Sequence, residues 1–134
     1  MPRYRIPKKG KFWIPRHKYR LAVAYCQTYP EWRQELEDLT ILHSPTMDGM
    51  PHSTDVSDST ARNAMRVMRI KDKIQLIEDI VKECCSESLY PYMLLAVTRE
   101  GLTWAELQEG GIPTSRTAFF MMKRQILYEV SRRM

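Results

Sequence analysis

Val67, Ile70, Ile74, Ile77, Val81 and Cys84 stand three, four, three, four and three residues apart. A helix turns once per 3.6 residues, so this rhythm places all six side chains on one face for nearly five turns. A strand would divide the same residues between its two faces. No segment of the chain alternates in the two-residue period of a strand for long enough to matter. The expected fold is therefore all-α, a small bundle of about six helices.

The other helices announce themselves by their punctuation. Pro15 suits the first turn of a helix running to about Thr28, with Leu21, Ala22, Tyr25 and Tyr29 as its apolar stripe. Pro30 opens the next in the same way, with Trp32, Leu36 and Leu39 as the stripe. Periodicity then vanishes from His43 to Ser57, a stretch rich in Pro, Ser, Asp and Thr that reads as a loop. Asp58, Ser59 or Thr60 is expected to cap the long helix. Ser86–Ser88 breaks it, Pro91 starts a helix through Leu94, Leu95 and Val97, and Gly101 ends that one as a C-terminal glycine.

The C-terminal third carries the most specific signal. Thr103-Trp104-Ala105-Glu106 matches a capping box, and Gly110-Gly111 limits the helix it opens to about two turns. Ile112-Pro113 makes a tight turn, and Thr114 or Ser115 caps a last helix that buries Phe119, Met122, Ile126 and Val130. A short capped helix, a glycine-containing turn and a longer helix with a basic, hydroxyl-bearing face describe a helix-turn-helix. Base edges are reached by Arg, Ser or Thr near the start of a recognition helix, and phosphates by cations and hydroxyls beside them. The candidate DNA-binding residues are Thr114, Ser115, Arg116, Thr117, Lys123, Arg124, Arg132 and Arg133. The plainer reading is an antiparallel helical hairpin with a solvated charged face.

Charge is unevenly placed. The first 20 residues hold eight Lys or Arg and no acid, whereas from Leu21 to Asp58 a single cation, Arg33, faces seven acids, so the net charge of +5 is an average over unlike segments. Arg3, Arg5, Lys8, Lys9 and Lys11 are candidate DNA-backbone contacts, the alternative being a solubilising tail. Phe12, Trp13 and Ile14 give this arm an apolar anchor. The expected organisation is a basic arm at 1–14, a helical body at 15–98 with a polar loop at 43–57, and the helix-turn-helix at 99–134, together one compact domain.

Other chemistries find little support. His17, His43 and His52 are scattered, and no HExxH, paired CxxC, P-loop or GxGxxG occurs, so neither an enzyme nor a cofactor is expected. Asp48, His52, Asp55 and Asp58 could in principle hold a metal ion, but a polar loop with an N-cap aspartate explains them more simply. Cys26, Cys84 and Cys85, odd in number and two of them adjacent, read as reduced thiols of a cytosolic protein, and no metal site is expected there. Met65, Met68, Met121 and Met122 are expected to fill an irregular core. No run of 18 apolar residues exists and the basic N-terminus lacks a signal's apolar stretch, so no membrane association is expected.

Tyr29-Pro30-Glu31-Trp32, Asp48-Gly49-Met50-Pro51 and Val56-Ser57-Asp58-Ser59-Thr60-Ala61 resemble the RinA/ArpU family of phage transcriptional regulators. Phe119-Phe120, Lys123-Arg124 and Ile126-Leu127-Tyr128 are similar to that family's aromatic pair, basic pair and apolar run. The resemblance covers the chain from about Tyr29 to its end. His52, Ser53, Thr54 and Asp55 stand where the family usually has an arginine and glycines, and Ser59 where it has a proline. The resemblance implies an activator of late genes, for packaging or lysis, in phages and prophages of Gram-positive bacteria, with a sigma-factor-like C-terminal helix-turn-helix acting in the host cytoplasm. Expected partners are double-stranded DNA and, as candidates, host RNA polymerase and a second copy in a homodimer. The alternative is a protein-interaction factor, such as an RNA-polymerase adaptor or packaging component, with only nonspecific DNA affinity.

Overall fold

The computed structural model describes residues 12–42 and 54–134, with side chains at 12–40 and 60–134. Among these residues the fold is all-α, with no strand. Helices α1 (Arg16–Gln27), α2 (Tyr29–Leu42), α3 (Thr54–Cys84), α4 (Tyr90–Thr98) and α6 (Arg116–Arg133) form a compact bundle, and α5 (Trp104–Glu109) is a six-residue helix between the last two.

Each of the three prolines marks a helix start, Pro15 one residue earlier than the first turn in which it was expected. Pro15 is the N-cap of α1, its carbonyl accepting from the Tyr19 amide at 2.9 Å, and Pro30 and Pro91 sit in the first turns of α2 and α4, where a missing N–H costs nothing. Only Thr28 separates α1 from α2, and its hydroxyl closes α1 by donating to the Ala24 carbonyl at 2.7 Å. Gly101, past the end of α4, has φ +78, a conformation in which any Cβ would be strained.

The expected start of α3 is corrected. The helix begins at Thr54, so residues 54–57 of the expected loop are helical, and Asp58, Ser59 and Thr60 lie inside the helix instead of capping it. The polar composition misleads there because Ser, Thr and Asp tolerate a helix's first turns well. The rest of that loop, 43–53, lies outside the described residues, and with it the resemblance's Asp48-Gly49-Met50-Pro51.

The core is where α6 meets α1, α3 and α4, while α2 lies chiefly on α3. Ile77, Ile80 and Val81 of α3, Met93 of α4, Ile126 and Val130 of α6, and Ala22 and Cys26 of α1 are fully buried. The stripe read on α3 is correct from Ile70 onward, but nothing between Thr60 and Arg69 is buried, although α2 lies alongside with Glu35 paired to Arg66. This corrects the expectation for the methionines: Met65, Met68 and Met121 are 56%, 64% and 55% exposed, and only Met122 is half-buried. Leu21 and Leu95 are likewise exposed, while their neighbours Ala22 and Ala96 are buried. Residues 12–14, ahead of α1, are seated on the bundle. Ile14 is buried, Phe12 meets Tyr128 edge to face at 5.5 Å, and the Phe12 carbonyl accepts from Arg124 Nε at 3.3 Å.

Candidate nucleic-acid interface

The segment from Thr103 to Thr117 is built by local hydrogen bonds. Thr103 Oγ1 accepts from the Glu106 amide at 3.4 Å, and the Glu106 carboxylate accepts from the Thr103 amide at 3.2 Å, a complete capping box for α5. At the other end, the Ile112 amide donates to the Leu107 carbonyl at 3.1 Å and the Gly111 amide to the Gln108 carbonyl at 3.0 Å. This pair of bonds is a Schellman motif, which demands a left-handed residue, and Gly111 supplies it with φ +87. Gly110, by contrast, has the helical φ of −74. Leu107 and Ile112, the two residues this motif brings together, are both buried, which anchors the turn to the core. Tyr92 of α4 ties it further, its hydroxyl donating to the Gly110 carbonyl at 3.2 Å.

Ser115 then starts α6 as N-cap, its hydroxyl accepting from the Ala118 amide at 3.2 Å. Phe119 is buried beside Trp104, their ring centroids 5.2 Å apart, so the first turn of α6 is fixed against α5. On the outer side Arg116 and Thr117 are exposed, and the guanidinium of Arg116 lies 5.7 Å from the centre of the Phe120 ring. Arg116 makes no ion pair among the described residues.

The sequence-derived set thus divides. Thr114, Ser115, Arg116 and Thr117 come together at the start of α6. Lys123 and Arg124 do not join them on an open face. Both are half-buried; burial pulls the Lys123 ammonium below its ordinary pKa, and Arg124 is held by the Phe12 carbonyl with its guanidinium 4.9 Å from the Tyr19 ring centre. Arg132 and Arg133 lie at the far end of α6, roughly 24 Å along the axis from Arg116. Arg132 pairs with Glu129 at 2.7 Å, and Arg133 with Glu83 at 2.7 Å and Glu129 at 3.2 Å. From Met122 to Ser131 no α6 residue is exposed, because three helices pack around it. Arg3, Arg5, Lys8, Lys9 and Lys11 lie outside the described residues.

Two clusters of cations were not singled out from the sequence. On α1, Arg16, Lys18 and Arg20 are exposed and in no ion pair among the described residues. On α3, Arg62, Arg66, Arg69 and Lys73 recur at helical spacing along a groove of about 510 Å³ beside Trp32 and Glu35 of α2. Arg66 pairs with Glu35, and Lys73 Nζ lies 5.3 Å from the Trp32 ring centre. The spacing of the α3 row was legible; that Glu35 of α2 pairs with Arg66 was not.

Among the described residues no group of three His, Cys, Asp or Glu could hold a metal ion, and no helix is long and apolar enough to cross a membrane. The cluster of Asp48, His52, Asp55 and Asp58 lies outside the described side chains. Cys26 is buried, which pushes its thiol up to about 12, and burial likewise raises Cys84 to about 11, so these sulfurs are protonated and poorly nucleophilic near neutral pH. Comparison with protein-family models, with curated proteins and with solved structures gives no match for this chain.

Proposed function

We propose that this chain is a sequence-specific DNA-binding transcriptional regulator whose last two helices act as a helix-turn-helix. The observation that carries the reading is the pairing of a rigid turn with an open first turn of α6. The capping box, the Schellman motif and the Trp104–Phe119 contact fix that turn, and Arg116 and Thr117 stand exposed on it. A recognition helix reads bases with its N-terminal residues, so a helix that is buried further along still meets the requirement. Arg116 is the base-reading candidate, Thr117 and the α6 N-terminal amides the groove and phosphate contacts. The resemblance to the RinA/ArpU regulators extends this to activation of phage or prophage late genes for packaging or lysis, with host RNA polymerase as a further partner. A protein-interaction factor with only nonspecific DNA affinity is the competing reading, favoured by the exposed Met65 and Met68 on α3.

Selection of bound duplexes from a random library, followed by titration of the winner and of a scrambled duplex, separates the two. We expect one enriched sequence, and Arg116→Ala should weaken binding to it by about 1–3 kcal/mol while changing scrambled DNA far less. No enrichment, or equal losses on both duplexes, would exclude base reading by this helix.

A further inference from the structure

We propose that the exposed face of α1, bordered by Arg16 and Arg20 on one side and Lys18 on the other, is a contact surface for the phosphate backbone of duplex DNA. This rests on the DNA-binding reading for the class of partner, and on none of the residues given a role in base reading. Three observations carry it.

The first is that these charges do nothing for the folded chain. Arg16, Lys18 and Arg20 are exposed and in no ion pair among the described residues. They fall in the first five residues of α1, where the helix dipole favours acids, and α1 has none in its first turn. Arg16 and Arg20 are one turn apart, a like-charge spacing that works against the helix. Cations placed against the helix's own preference are relieved by an external anion.

The second is the absence of neutralising neighbours. The α1 sequence contains no acid, α4 contains no charged residue, and α6 has no acid before Glu129. These are two of the helices packed on α1; the third, α2, has its first acid at Glu31, beyond the end of α1. The α3 row fails this test. Arg66 is paired with Glu35, and Glu31 and Asp38 recur on the same side of α2 at spacings of four and three. One of its four cations is paired with an acid and a row of acids lines the helix beside it, whereas α1 has neither.

The third is the place of α1 in the fold. It packs against α6, and Arg124 of α6 lies against Tyr19 of α1, so the surface belongs to the same rigid body as the turn that presents Arg116. Since α5 carries Glu106 and Glu109 and no cation, it offers no cationic phosphate contact beside α6, which α1 does. An acidic membrane fits less well. Interfacial helices insert an apolar face, but the apolar face of α1 is committed to the core through Ala22 and Cys26, and its exposed side offers a single large apolar residue, Leu21.

The test uses the full chain and a labelled duplex of arbitrary sequence, titrated at several salt concentrations. Arg16→Gln, Lys18→Gln and Arg20→Gln are combined, against a charge-matched control of Arg62→Gln, Lys71→Gln and Arg99→Gln. All six positions are exposed, so both variants should melt like the parent. Each lost phosphate contact removes about 0.9 from the log–log salt slope, so the α1 variant should flatten it by about 2–3 units and the control by less than about one. Should the triple variant misfold, Arg20→Gln alone should flatten the slope by about one unit. An unchanged slope, equal flattening in the control, or tighter binding to anionic phospholipid vesicles than to the duplex at the same salt would overturn the proposal. The operator reading fails separately: a chain with no preferred sequence but an α1-dependent slope loses base reading and keeps this surface.

Discussion

At its first turn α6 shows Arg116 and Thr117 to solvent, with the Arg116 guanidinium beside the Phe120 ring and no acid paired to it among the described residues. At its last turn Arg132 and Arg133 are gripped by Glu129 and Glu83, which join the ends of α6 and α3. The residue types are the same, and both ends would count equally in a tally of positive charge. What separates them is the company each arginine keeps. A cation with an acid in hand must break that contact to meet a phosphate, whereas one resting over an aromatic ring gives up a weaker contact to turn outward. Between the two ends the helix is structural, so the functional candidates are confined to its first turn.

This contrast can be pressed in three ways, taken from the largest expected effect. Ile126 is fully buried midway along α6, and Ile126→Ala should cost about 2–5 kcal/mol in urea or thermal unfolding. A loss under about 1 kcal/mol would mean that the middle of α6 is not the core of the bundle. Next comes the turn that sets the first end apart. Gly111→Ala forces a Cβ into φ +87 and should destabilise by about 1–2 kcal/mol. Gly110→Ala, at a helical φ with its nearest neighbour at 3.4 Å, should stay within about 0.5 kcal/mol of the parent. Equal effects would show that the Schellman motif does not form.

The smallest effect compares the two ends directly. Arg133→Ala should lower stability by up to about 1 kcal/mol, and Arg116→Ala should be neutral for folding within about 0.5 kcal/mol. The ion pairs also have a pH signature. A hydrogen bond from Arg132, with the charges of Arg132 and Arg133, holds the Glu129 carboxyl below its usual range. Since its pKa is lowered in the folded chain, the stability it brings is full above the unfolded value of about 4.3 and is lost as pH falls through the folded one. Stability measured down the pH scale should therefore decline more gently in Glu129→Gln than in the parent. Parallel curves would mean that the last-turn network contributes nothing.

The sequence made α5, its capping box and the place of Gly110-Gly111 legible, because those features are local and each residue type there has one good structural use. The apolar rhythm of α3 was legible for the same reason, though its 3.6-residue spacing could not say that Ile80 is buried as well, which depends on how the other helices pack on α3. Neither could it say that Met65 and Met68 stay exposed with α2 lying alongside. The candidate site was half legible. Ser115 and Arg116 follow from the helix start, but that Arg124 is spent on the carbonyl of Phe12, 112 residues earlier in the chain, is a tertiary fact with no local trace. The same holds for Arg133 and Glu83. Periodicity reports which residues share a face, and only the packing of helices decides which of those faces remain open.

Cys26 has a use that belongs to the experimenter. It has no exposed surface, and burial pushes its thiol up to about 12, so it is protonated and unreactive at pH 7. Once α1 swings away, the thiol returns to ordinary acidity and reacts with an alkylating reagent at a rate set by how often the helix leaves. Cys84 and Cys85, half-buried at the end of α3, clock the opening of a different corner. Three sulfurs thus make a built-in stopwatch for the order in which the helices come apart, readable by mass spectrometry without changing a residue.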